Sequence, residues 1–93
     1  MSDFFVEFLT RPGCHLCEDA EAVICRVARR ARASVVTTNI DSDPVMAVDW
    51  DLRIPVVLGP DGAVLGEGRI GEWHLFRAVL VARLRRLVPR VGL

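Results

Sequence analysis

The sequence predicts an α/β fold of order β-α-β-α-β-β-α, with four strands in one mixed sheet and helices on both faces. Three observations lead there. Apolar runs of strand length alternate with stretches of helical period through the first half of the chain. Two short apolar runs then flank the turn Gly59-Pro60-Asp61-Gly62. A long amphipathic stretch follows them to the C-terminus.

Phe4 to Leu9 is aromatic and apolar with one charge, a composition that suits a strand buried on both faces. Arg11-Pro12-Gly13 breaks it. From His15 to Arg32, the residues Leu16, Ala20, Val23, Ile24 and Val27 are spaced for one apolar helical stripe. Glu18, Asp19 and Glu21 fall in its early turns and Arg26, Arg29, Arg30 and Arg32 in its late ones, an order that complements the helix dipole. Ser34 to Ile40 is β-branched and Thr-rich, and reads as a second strand, parallel to the first across a βαβ crossover. Asp41-Ser42-Asp43-Pro44 supplies an N-cap and a first-turn proline for a short helix ending near Asp49 or Trp50. Arg53-Ile54-Pro55 interrupts before Val56 to Leu58, the third strand, which forms a hairpin with Ala63 to Leu65. A closing helix spans Glu72 to Val88, with Leu75, Phe76, Val79, Leu80 and Leu84 on one side and the arginines mostly on the other. Pro89 to Leu93 is expected to fray, Trp50 and Trp73 to pack, and His74 to lie at or near the surface.

At 93 residues and 52% hydrophobic, the chain is expected to form a single domain over 1–93 with its own core. Twelve basic residues balance twelve acidic ones, so no global field favours nucleic acid or a membrane surface. Met1 to Phe5 carries no basic n-region, and no apolar run approaches the ~18 residues of a membrane span. The expected location is cytoplasmic. There, of the three cysteines Cys14, Cys17 and Cys25, the first two are read as a catalytic or metal-binding pair rather than as a structural staple, with one cysteine left over.

Two of those cysteines, Cys14 and Cys17, stand three apart where the first strand gives way to the first helix. Their sulfurs can close a small ring, and the first can sit at the helix N-terminus, where unpaired N–H groups and the dipole favour a thiolate. A thiolate is the species that attacks a disulfide. Cys14 is therefore the expected nucleophile, its pKa drawn below the ordinary ~8.5, with Arg11 assisting and Glu18, Asp19 and Glu21 opposing. His15 reads equally well as a thiolate partner or as an exposed spacer. Cys17 is expected to be the more buried of the pair and to attack the mixed disulfide by proximity. Cys25, about 80° around the helix from Cys17, is expected as a buried core thiol.

Cys14-x-x-Cys17, Ile54-Pro55 and the order of elements resemble the thioredoxin superfamily, and the short N-terminus resembles glutaredoxins and bacterial glutaredoxin-like proteins in particular. The resemblance spans nearly the whole chain and implies a thioredoxin-like, glutaredoxin-type fold. It also implies a cis bond before Pro55 in a loop facing the cysteines, preceded by Trp50-Asp51-Leu52-Arg53, which is similar to the segment family members place there. In that setting Cys14 and Cys17 are the catalytic residues, and Ile54 and Pro55 pair with an incoming peptide or glutathione. Arg11 matches a basic position that members turn toward glutathione's carboxylate. The chain departs from the family in three places. His15-Leu16 replaces the frequent Pro-Tyr, Gly66-Glu67-Gly68 lacks the adjacent glycines that help hold glutathione, and Glu7 is one residue out of register with the buried acid of thioredoxins.

The leading expectation is a thiol-disulfide oxidoreductase that reduces protein or mixed disulfides, with Cys14 and Cys17 catalytic and Arg11, His15, Ile54 and Pro55 binding substrate. No tightly bound cofactor or metal is expected, and glutathione stays open as a co-substrate. The implied partners are a disulfide-bearing protein or glutathione mixed disulfide and a reductase that recycles the pair, with no nucleic acid, no membrane and a monomeric state. The rivals are a dedicated electron donor to one reductase, an iron-sulfur or metal protein using the cysteines, and a non-catalytic binding module. A closed tetrahedral zinc site needs four ligands, more than one Cys-x-x-Cys supplies.

Overall fold

The computed structural model describes residues 4–87. In chain order these form β1 (Phe5–Thr10), α1 (His15–Ala31), β2 (Ser34–Asn39), a 3-10 turn (Ile40–Ser42), α2 (Pro44–Trp50), β3 (Val56–Leu58), β4 (Val64–Glu67) and α3 (Glu72–Leu87). The element order is the expected one. The sheet runs β2-β1-β3-β4, with β1 and β2 parallel and the other two pairs antiparallel. The parallel pair follows from the crossover through α1, since parallel neighbours need a long connection. The hairpin follows from its turn, where Gly62 takes a positive φ of 86° and Asp61 Oδ1 accepts the Ala63 N–H at 3.1 Å.

Alternation along the strands divides the core in two. Val6, Phe8 and Val57 face α1 and α3, meeting Cys17, Ala20, Ile24, Val27, Leu75 and Val79. Leu9 and Val56 face the other way and enclose Ile40 beneath Met46 and Trp50 of α2. Helices thus lie on both faces, yet unequally. Phe5 is 45% exposed, so β1 is not buried on both faces along its whole length as expected. The reason is the size of α2, seven residues or about 10 Å, which covers only the C-terminal end of that face.

Asp43 caps α2 through Oδ1 on the Val45 N–H, with Pro44 opening the helix, as read from the sequence. Strand β4 ends two residues later than expected, because Gly66 and Glu67 pair with Val57 and Val56 of β3, an irregularity between Val57 and Leu58 taking up one extra residue. The core stripe of α3 is narrower than expected. Leu75 and Val79 are buried and Ala82 packs beside them, whereas Leu80 and Leu84 are exposed. At 100° per residue Leu84 lies on the opposite side of the helix from Leu75. Trp73 is also exposed rather than packed, touching Phe76 at the helix surface. The expected end of α3 at Val88 and the fraying of 89–93 lie outside the described residues. No helix among the described residues is long and apolar enough to cross a membrane.

Candidate redox site

Pro12 and Gly13 end β1, and Gly13 adopts φ 81°, a conformation that L side chains rarely take. This turn delivers Cys14 in extended conformation (φ −93°, ψ 107°) to the N-cap of α1. Its Sγ accepts the Cys17 backbone N–H at 3.1 Å, filling the place a Ser or Asp oxygen takes in ordinary caps. Cys14 and Cys17 are joined as a disulfide, with Cα atoms 5.1 Å apart. Their environments differ. Cys14 is half-buried, while Cys17 is only 3% exposed and belongs to the main core cluster. An incoming group therefore reaches the first sulfur before the second.

The β1–β3 register brings the Ile54-Pro55 turn to the same end of the sheet. Leu9 pairs with Val56, so the residues just before β3 come opposite the end of β1, where the cysteine loop begins. The Ile54-Pro55 bond is cis, as the resemblance implied. Pro55 is buried and its carbonyl accepts the Gly68 N–H at 2.8 Å, while the Arg53 and Ile54 N–H groups both donate to the Trp50 carbonyl. Ile54 packs against both core clusters and Cys14 against the larger one, so the two share a wall.

Arg11 points into an acidic pair. Its Nη2 and Nε donate to the Asp41 carboxylate at 2.7 and 3.3 Å, and its Nη1 bonds Asp51. These bonds, that to Asp41 first, raise the guanidinium pKa further above its already high value. Neither acid stood out in the sequence as a partner for Arg11. The available signal was topological: Asp41 follows β2 and Asp51 follows α2, both at the end of the sheet where β1 delivers Arg11. His15 is almost fully exposed, its Nδ1 3.8 Å from Glu18. Arg53 stacks on the Trp50 ring at 4.5 Å and bonds both oxygens of Glu67, a pairing that lowers the Glu67 carboxyl pKa. Glu7 accepts a 2.6 Å hydrogen bond from Thr38 on the sheet face away from Cys17.

Cys25 is exposed, which overturns its expected place in the core. The buried stripe of α1 runs through Cys17, Ala20, Ile24, Val27, Ala28 and Ala31, and the ~80° offset of Cys25 carries it past the edge of that stripe. Among the described residues no group of three or more His, Cys, Asp or Glu side chains is gathered to hold a metal ion.

Residues 5–85 match the family described as glutaredoxin-like domain (DUF836). No curated protein matches the chain. Among solved structures, structural-genomics target XcR50 from X. campestris is 22% identical with a TM-score of 0.60, over 90% of this chain and 99% of that one. Protein Ne2328 from Nitrosomonas europaea is 20% identical with a TM-score of 0.67, covering 81% of this chain and 89% of the other. A mutant thioredoxin from Halobacterium salinarum NRC-1 is 21% identical with a TM-score of 0.67, over 87% and 75% of the two chains. These likenesses carry the fold, and the family match carries the membership. The chain has a thioredoxin-like fold and belongs to the glutaredoxin-like domain family.

Proposed function

We propose that this protein is a cytoplasmic thiol-disulfide oxidoreductase that reduces protein or mixed disulfides through Cys14 and Cys17. The observation that carries the proposal is the asymmetric pair at the start of α1. The sulfur of Cys14 accepts a backbone N–H at the helix N-terminus and is partly open, and the sulfur of Cys17 is buried one turn behind it. In the reduced protein that N–H and the helix dipole favour the Cys14 thiolate.

The exchange runs in two displacements. The Cys14 thiolate attacks one sulfur of a substrate disulfide, a new S–S bond forms, and the other sulfur leaves as a thiolate that takes up a proton. The Cys17 thiol gives up its proton and attacks Cys14, closing the Cys14–Cys17 disulfide and releasing the second substrate thiol. Two electrons and two protons pass from the dithiol to the substrate. An external dithiol, a low-molecular-weight thiol or a reductase then returns them. Ile54 and Pro55, at the same end of the sheet as the cysteines, are the proposed substrate-facing loop, supported by the register of β1 with β3 and by Ile54 and Cys14 packing against the same core cluster.

The test is reduction of hydroxyethyl disulfide and insulin by the dithiol protein, with Cys14→Ser and Cys17→Ser as controls. Cys14→Ser should be inactive, and Cys17→Ser should accumulate a mixed disulfide visible by mass spectrometry. Wild-type activity no higher than that of Cys14→Ser would refute the proposal.

A further inference from the structure

We infer that the redox pair sits in an acidic frame, set by Asp41 and Asp51, that selects disulfides flanked by cationic groups over anionic ones such as oxidised glutathione. This inference rests on the redox reading above and names its substrate class. Arg11 is the basic residue nearest in sequence before Cys14, and its charge is already engaged. Asp41 holds it through two donors and Asp51 through a third, and both carboxylates are themselves about half exposed. The cluster thus shows solvent two negative charges against one positive. A substrate carboxylate would have to displace a charge-assisted, two-donor pair to reach the guanidinium.

Topology brings this cluster to the cysteines. β1 and β2 run parallel, so Arg11 and Asp41, which follow their C-terminal ends, emerge at the same end of the sheet. Asp51 closes α2 and leads into Ile54-Pro55, whose strand runs antiparallel to β1 and so starts at that end. Cys14 caps α1 there as well. The other charges around the cysteine turn are mixed, with the acidic ones in excess. Glu18 lies in the first turn of α1 beside His15, Asp49 lies in the last turn of α2, Arg53 is held by Glu67, and Arg69 lines a small pocket with Leu16 and Asp19. A substrate bearing Lys or Arg beside its disulfide meets an attractive field, and one bearing carboxylates a repulsive field.

The experiment measures rate constants of the reduced protein with cystamine, a dication, hydroxyethyl disulfide, which is neutral, and oxidised glutathione, which carries net negative charge. It uses the wild type and the double variant Asp41→Asn/Asp51→Asn, at about 10 mM and about 0.5 M salt. In the wild type the cystamine-to-glutathione ratio should fall about tenfold from low to high salt, a result that needs no variant. At low salt the double substitution should lower the same ratio by about tenfold, and since each substrate is compared with itself its intrinsic reactivity cancels. A ratio that is indifferent to the substitution overturns the inference, because the Cys14 thiolate gives some salt dependence by itself, and so does a ratio that rises with salt. Hydroxyethyl disulfide keeps the two readings apart. A wild type inert toward all three compounds refutes the redox activity, whereas one that reduces the neutral disulfide with a ratio indifferent to the substitution refutes only the charge selection.

Discussion

Replacing Ile40 by alanine tests the smaller core cluster on which the redox end of the sheet rests. Ile40 is fully buried, enclosed by Leu9 of β1 and Val56 of β3 beneath Met46 and Trp50. Truncation removes three buried carbons, which at ~0.8 kcal/mol each costs ~2.4 kcal/mol in transfer free energy. A void of roughly 80 Å³, at ~24 cal/mol per Å³, adds up to ~2 kcal/mol where nothing collapses into it. The half-buried side chains around the cluster can close part of that void, so the expected loss is about 3 kcal/mol. For a domain of this size that is a fall in Tm of roughly 12–24 °C. Urea unfolding followed by circular dichroism measures it, with Ile40→Val expected to lose only about 1 kcal/mol. A loss for Ile40→Ala below about 1 kcal/mol at unchanged m-value would refute the reasoning, because it would mean that α2 does not seal this face.

Three further outcomes are expected. In the reduced protein, the iodoacetamide reaction of Cys14 should titrate below the ordinary thiol value of ~8.5, and a midpoint at or above it would contradict the N-terminal N–H bond to its sulfur. The Arg53 pairing lowers the carboxyl pKa of Glu67, so its stabilisation is fully present above the unfolded carboxylate value and lost as pH falls through the lower folded one. Glu67→Gln should therefore melt below wild type at neutral pH and coincide with it in acid, and a Tm gap that persists unchanged in acid would contradict this sign. Cys25, being exposed, should take up one equivalent of maleimide in the oxidised native protein, and a requirement for denaturant would contradict its position.

Much of the site was legible because it is local. A helix N-terminus, a first-turn pair of thiols and the breaker Pro12-Gly13 are all contiguous, so the placement of Cys14 and Cys17 needed no tertiary information. Cys25 was misjudged because a one-dimensional offset around a helix does not say where the partner helices end. Leu80, Leu84 and Trp73 were misjudged for the same reason, since α3 has more apolar residues than the sheet and α1 have surface to cover.

By itself the sequence determined the order of the elements, the helix caps at Cys14 and Asp43 and the hairpin turn, because each depends on interactions within a few residues. The resemblance added the cis bond before Pro55. Only the tertiary structure decided which charges meet. Arg11, Asp41 and Asp51 are separated by 30 and 40 positions, and ion pairing between them follows from strand order and helix length rather than from any local pattern. The unequal exposure of the two thiols, by contrast, was legible in the sequence, because Cys17 stands one turn inside the helix on its apolar stripe and Cys14 at its exposed start.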